Sequence, residues 1–100
     1  MAKLVRDRIP EIIEQGGAKP IIRRLTGDDL INALDNKLTE EHEEYAESRS
    51  IEELADIAEV VFALARARGS SDEEFISTVE KKRAERGGFE EGIFWEGNEP

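Results

Sequence analysis

Two short acidic motifs contain the residues best suited to chemistry in this sequence. Glu41-x-x-Glu44 precedes Glu53-x-x-Asp56, and eight residues separate Glu44 from Glu53. Residues three apart on an α-helix lie one turn apart on the same side, so each motif presents two carboxylates together. Oxygen-only ligands favour Mg²⁺ or Mn²⁺. We therefore predict a divalent metal site between the two helices that carry these carboxylates.

Each motif is predicted to place a carboxylate on the apolar face of its own helix. Glu41 falls in the middle of a stripe at heptad-like spacing, made by Ile31, Leu34, Leu38 and Tyr45. On the next helix, Glu53 projects between the directions of Val60 and Leu64. The apolar residues of this helix are Leu54, Ile57, Ala58, Val60, Val61, Leu64 and Ala65. An ionised carboxylate on an apolar face is costly unless a cation compensates it, and two facing helices with one each favour a shared metal ion.

Ordinary surface chemistry offers an alternative interpretation of the acidic motifs. The chain has 24 acidic residues among 100, so Glu-x-x-Glu spacings also arise by chance. Glu53 lies three residues after Ser50 and fits a capping box, which needs no metal. His42 on a helix flank is more typical of a surface residue than of a ligand. Solvent-facing positions are assigned to Glu40, Glu43, Glu47, Glu52 and Glu59.

Composition places the chain among soluble, helix-rich proteins with one domain, residues 1–100. The net charge of −10 argues against nucleic-acid binding, which depends on clustered Lys and Arg. No apolar run approaches the ~20 residues of a membrane span. No secretory signal pattern opens the chain, and there are no cysteines. We expect a cytoplasmic protein that contacts neither membrane nor nucleic acid.

The pattern of caps and breakers predicts an all-α fold with a short first helix and three longer ones. The expected ranges are 11–15, 28–48, 51–68 and 72–86, and the segments 20–25 and 89–95 are expected to be extended and able to pair as strands. The third helix is apolar nearly all round and needs neighbours on several sides. A homodimer, or a dimer of dimers, would complete the bundle.

Three blocks of the sequence resemble a known family. The acidic motifs, with Lys37-Leu38 before them and EELAD around the second, look like the metal-binding signature of the all-α nucleoside-triphosphate pyrophosphohydrolase superfamily, which includes MazG. The first block reads Lys3-Leu-Val-Arg-Asp-Arg-Ile-Pro10 and the last reads Lys82-Arg-Ala-Glu-Arg-Gly-Gly-Phe89. Both are similar to segments of small MazG-like, phosphoribosyl-ATP pyrophosphohydrolase-like proteins. The spacing between the acidic motifs is shorter than in many members, which implies a tight helix hairpin.

The resemblance implies Mg²⁺-dependent hydrolysis of a nucleotide between the α and β phosphates, giving a monophosphate and pyrophosphate. By motif position, the four acidic residues would hold the metal. Lys82 and Arg86 are candidate phosphate ligands, or else cations that complement a helix dipole. Arg6 and Arg8 either close over the substrate or pair with surface glutamates. The competing function is a non-catalytic acidic helical module that binds a partner protein.

Overall fold

The computed structural model describes residues 2–100, so Met1 of the predicted domain lies outside the described residues. It contains four α-helices: α1 (Ile9–Gln15), α2 (Gly27–Ser48), α3 (Ile51–Ala67) and α4 (Asp72–Arg86). The predicted all-α fold is confirmed, and the helix boundaries match the predictions within two residues. No helix in this part of the chain is both long enough and apolar enough to cross a membrane.

The turn between α2 and α3 is as tight as the spacing of the acidic motifs predicts. Arg49 adopts a left-handed conformation with φ of 57°, and its guanidinium lies 5.9 Å from the centre of the Tyr45 ring. Its backbone N–H also donates to the Tyr45 carbonyl, which closes α2. The Ser50 hydroxyl accepts the Glu53 N–H and begins α3. The two acidic motifs therefore lie on either side of a two-residue connection.

Local signals also determine both ends of α4. Ser71 and Glu74 form a capping box, in which the Ser71 hydroxyl accepts the Glu74 N–H and the Glu74 carboxylate accepts the Ser71 N–H. Gly87 follows the helix with φ of 83°, a conformation that side chains disfavour. In α1, Pro10 occupies the first turn, where its missing N–H costs nothing.

The predicted strand pairing between residues 20–25 and 89–95 is wrong. Neither segment forms a strand anywhere in residues 2–100. Their large apolar side chains, including Ile21, Phe89 and Trp95, point into solvent. A β-branched or aromatic composition favours extended structure only where a partner strand accepts its backbone hydrogen bonds. These segments have no such partner within the described chain.

A single chain buries few of its side chains. The helices α2 and α3 pack against each other as an antiparallel hairpin, and α4 packs on α3. The packing of α4 on α3 includes an edge-to-face pair of Phe62 and Phe75, whose ring centres are 5.4 Å apart. Only Leu34, Val60 and Glu41 are buried in residues 2–100, and each keeps 5–8% of its surface exposed. The carboxylate side chain of Glu41 is therefore buried in the hairpin together with the apolar core residues Leu34 and Val60.

Candidate metal centre

Glu41 occupies the buried position that its place in the apolar stripe predicts. Only 6% of its surface is exposed, and it lies on α2 two turns after the buried Leu34. Its Oε2 atom has no hydrogen-bond partner within the described residues. A buried carboxylate oxygen without a partner costs free energy that a bound cation would recover.

Three of the four predicted ligands meet at one point between the two helices. One carboxylate oxygen each from Glu41, Glu53 and Asp56 lies within 4.8 Å of the others, a spacing compatible with a shared metal ion. The hairpin produces this cluster because it places the C-terminal half of α2 against the first turns of α3. The group combines one buried residue with two that are partly exposed, so the site is open to solvent on one side.

Glu44 belongs to a second, more exposed group. Its carboxylate approaches those of Glu40 and Glu41 within the same 4.8 Å limit. Glu41 is therefore common to both groups and links the four predicted ligands. Glu40 was assigned to a solvent-facing position, and the structure instead gives it partial burial beside this cluster.

The capping-box interpretation of Glu53 is wrong, because its carboxylate does not return to the backbone of Ser50. The Ser50 N–H instead donates to the Ser48 hydroxyl at 3.3 Å. The Glu53 Oε2 atom is buried and has no hydrogen-bond partner in residues 2–100. This carboxylate is therefore available to a cation, while its backbone N–H still caps the helix through Ser50.

Lys37 supplies a positive charge to the cluster that the sequence analysis did not assign. Its Nζ atom lies 3.3 Å from Glu41 Oε1 and 3.4 Å from Glu40 Oε1. The i, i+4 spacing of Lys37 and Glu41 on one helix was the signal that could have identified the pair. The ion pair engages one oxygen of Glu41 and leaves the other, Oε2, free.

Burial and charge act in opposite directions on the Glu41 carboxyl group. Desolvation raises the pKa of Glu41, and repulsion from Glu44 adds to the effect, although contact with Lys37 opposes it. Burial acts to lower the pKa of Lys37, but hydrogen bonds and attraction from Glu41 and Glu40 raise it overall. Burial therefore outweighs the contact with Lys37, and the net result is a raised pKa of Glu41.

The N-terminal segment lines the same cavity as Glu41 and Asp56, and it contacts one predicted ligand. Arg6 Nη2 donates to Asp56 Oδ1 at 2.6 Å, and both side chains are partly exposed. The contact joins residues 50 positions apart. The guanidinium therefore occupies a carboxylate oxygen that a metal ion would also use.

We expect Arg6→Gln to bind Mn²⁺ up to about fivefold more tightly than the wild type. The exposed Arg6–Asp56 ion pair contributes at most about 1 kcal/mol, and a metal ion that binds Asp56 must displace Arg6. Titration calorimetry with Mn²⁺ measures the difference. The matched control is Arg8→Gln, because Arg8 pairs with Glu11 on α1 at 2.8 Å. Equal Mn²⁺ affinities for the two variants would show that Arg6 does not compete with the metal.

The other predicted phosphate ligands lie outside the cavity beside the cluster. This cavity, of about 720 Å³, is bounded by the N-terminal segment, α2 and α3 and includes Arg6, Arg8, Lys37 and Arg66. Lys82 and Arg86 do not line it; they are exposed on the last turns of α4. A single chain thus brings Arg6, Arg8 and Lys37, and neither Lys82 nor Arg86, to the site. His42 is exposed on α2, as expected.

Comparisons with known proteins identify a partial relative and no family. An uncharacterized protein of Mycolicibacterium smegmatis is 58% identical over 41 residues, which cover 41% of this chain and 42% of that protein. The alignment therefore spans less than half the length of this relative. No family model matches the chain, and no solved structure matches it. Membership of the MazG-like superfamily accordingly stays a prediction from the sequence.

Proposed function

We propose that this protein is a Mg²⁺- or Mn²⁺-dependent nucleotide pyrophosphohydrolase of the MazG-like type. It would cleave between the α and β phosphates and release a nucleoside monophosphate and pyrophosphate. The observation that carries the proposal is Glu41, a carboxylate inside the helix hairpin with an unpartnered oxygen and three predicted ligands around it. The resemblance of three sequence blocks to the superfamily supplies the reaction.

The donor set fits a hard divalent cation. It consists of carboxylates alone, with one open side on which phosphate oxygens and water would complete the coordination. A divalent ion held there would neutralise phosphate charge and lower the pKa of an attacking water. Glu41 and Glu53 would hold the ion from inside the hairpin, and Glu44 and Asp56 from its exposed edge.

Residues around the cluster have separate roles in the proposed reaction. Lys37 neutralises part of the charge of Glu41 and keeps its carboxylate in one orientation. Arg6 is the cation best placed to move from Asp56 to an incoming phosphate, which a guanidinium binds in a bidentate manner. The cavity beside them offers apolar walls from Leu30, Leu34 and Val60 for the remainder of the nucleotide. A homodimer or dimer of dimers in the cytoplasm is part of this proposal.

A second candidate function is a non-catalytic acidic helical module that binds a partner protein. The ion pairs of Lys37 with Glu41 and of Arg6 with Asp56 favour it, because they compensate two carboxylates without any metal. Under this alternative the remaining glutamates form a solvated face. The two functions differ in their dependence on divalent cations.

Thermal melting with and without divalent metal separates the two functions. We expect millimolar Mn²⁺ or Mg²⁺ to raise the melting temperature, because a ligand that binds only the folded state stabilises it by about 2.7 kcal/mol at a hundred times its Kd. For a domain of this size that corresponds to a rise of roughly 10–20 °C. The control is a buffer of matched ionic strength that contains no divalent metal. An unchanged melting temperature with both metals would favour the interaction module.

A further inference from the structure

One cation that lines the cavity lies far from the acidic cluster. The cavity follows α3 from Asp56 to Ala67 and α2 from Glu41 back to Leu30. Because the two helices are antiparallel, Leu30 and Ala67 lie at the end of the cavity opposite the cluster. Arg66 is at that end, since ten residues of helix place it about 15 Å from Asp56 along the axis of α3. The cavity therefore has an acidic end and an arginine end.

Asp72 holds the Arg66 guanidinium by one of its edges. Arg66 Nε donates to Asp72 Oδ1 at 2.7 Å, and Nη2 donates to Asp72 Oδ2 at 3.1 Å. A contact through two parallel bonds fixes the plane of the guanidinium. The Arg66 side chain makes no other hydrogen bond in the described chain, so Nη1 and the second hydrogen of Nη2 form a free fork of donors. Arg66 lines the cavity and Asp72 does not, which leaves the free edge for a ligand.

The walls near Arg66 suit a nucleobase better than a second phosphate. They are apolar, from Leu30, Ala63 and Ala67, and the two alanines leave room between the helices. Glu59, two turns before Arg66, lines the cavity too and would repel a phosphate bound there. The cavity volume of about 720 Å³ is within the usual range for small-molecule sites. A base has apolar faces and a hydrogen-bonding edge, and therefore matches both the walls and the arginine.

The free donor fork of Arg66 distinguishes among the bases. Guanine presents the acceptors O6 and N7 side by side, and this is the pair that arginine binds most often in a bidentate manner. Hypoxanthine carries the same two acceptors. Adenine places the donor N6 beside N7, so one N–H of the fork would face another N–H. Uracil and thymine offer one acceptor at the corresponding edge, and cytosine offers a donor. The fork is therefore complementary to a 6-oxopurine.

We propose that the cavity binds a 6-oxopurine nucleotide, with Arg66 selecting the base and Asp72 positioning Arg66. This assignment rests on the proposed function, because the acidic cluster and its metal hold the phosphates at the other end of the cavity. A good bidentate contact to a base discriminates by roughly 5- to 150-fold. We expect kcat/KM for GTP and for ITP to exceed that for ATP by a factor in this range.

Nucleotide analogues test the contact without altering the protein. ITP keeps both O6 and N7 and lacks only the 2-amino group of guanine, so it should be hydrolysed as efficiently as GTP. 7-Deaza-GTP keeps O6 but has no acceptor at position 7, and its kcat/KM should be roughly fivefold lower, because one N–H of the fork loses its partner. Equal kcat/KM values for GTP and ATP in the wild type would overturn the proposal.

Arg66→Gln tests the same contact from the side of the protein. Its ratio of kcat/KM for GTP to that for ATP should fall to about 1 or below, since glutamine matches the N6 and N7 pair of adenine instead. GTP and 7-deaza-GTP should then be equivalent. The matched control is Arg68→Gln, which removes the same charge from an exposed residue that does not line the cavity, and it should keep the wild-type ratio. An unchanged ratio in Arg66→Gln would mean that the pair with Asp72 is only structural.

Calorimetric titration with GMP and AMP in the presence of Mn²⁺ separates base selection from the proposed reaction, because monophosphates bind without turnover. Tighter binding of GMP by the wild type, lost in Arg66→Gln, supports the assignment even where no triphosphate is hydrolysed. Equal affinities for GMP and AMP in a protein that releases pyrophosphate would overturn base selection and leave the proposed reaction intact. Failure of both monophosphates to bind at millimolar concentration would overturn the assignment as well.

Discussion

Glu41→Gln is expected to lower metal-dependent pyrophosphate release by at least about 100-fold, since even residues behind metal ligands cost 10–100-fold when removed. The substitution keeps size and shape but removes the charge from the one carboxylate shared by both acidic groups. Because burial raises the pKa of Glu41 above its unfolded value, its ionised form opposes folding at neutral pH. The metal-free variant should therefore be as stable as the wild type or more so.

The control for this effect is Glu47→Gln, a substitution on the exposed face of the same helix. It changes the net charge equally and should alter neither turnover nor metal-dependent melting. Steady-state assays at saturating Mn²⁺ measure turnover, and melting without metal measures stability. Near wild-type turnover of Glu41→Gln would remove Glu41 from the proposed metal centre.

Leu34→Ala is expected to cost about 2–5 kcal/mol of stability, the usual range for truncating a buried leucine. Leu34 and Val60 are the buried apolar side chains of the described chain. A domain of this size is stable by about 5–15 kcal/mol, so the loss is a large share of the total. Because Leu34 holds α2 against α3 in the stripe that carries Glu41, metal-dependent stabilisation should weaken too. Urea unfolding at fixed protein concentration measures both effects.

Ile21→Ala is the matched control for the loss of apolar volume, because Ile21 is fully exposed before α2. It should change the free energy of unfolding by less than about 0.5 kcal/mol. A loss of more than 2 kcal/mol for Ile21→Ala would show that residues 20–25 are covered in solution, as the overturned strand pairing would require.

Features that depend on local sequence were predictable. Ser50 and Ser71 begin α3 and α4 because their hydroxyls accept the N–H of the residue three positions on. Gly87 ends α4. The burial of Glu41 follows from its position in a heptad-like apolar stripe, which fixes the side of α2 that faces α3.

Features that depend on competition between partners were not predictable. The Ser48 hydroxyl takes the Ser50 N–H that a capping box would have given to Glu53. The contact of Arg6 with Asp56 joins residues 50 positions apart, for which no periodicity gives a signal. Strand formation at 20–25 and 89–95 was mispredicted because composition does not say whether a partner strand lies within reach.

The measurement that distinguishes the proposed hydrolase from other acidic helical proteins is the identity of the first product. A panel of nucleoside triphosphates, incubated with Mn²⁺ or Mg²⁺, is followed by ³¹P NMR. We predict nucleoside monophosphate and pyrophosphate in equal amounts, with turnover lost on chelation and in Glu41→Gln. Orthophosphate and a diphosphate as first products, or no metal-dependent hydrolysis of any nucleotide, would contradict the proposed function.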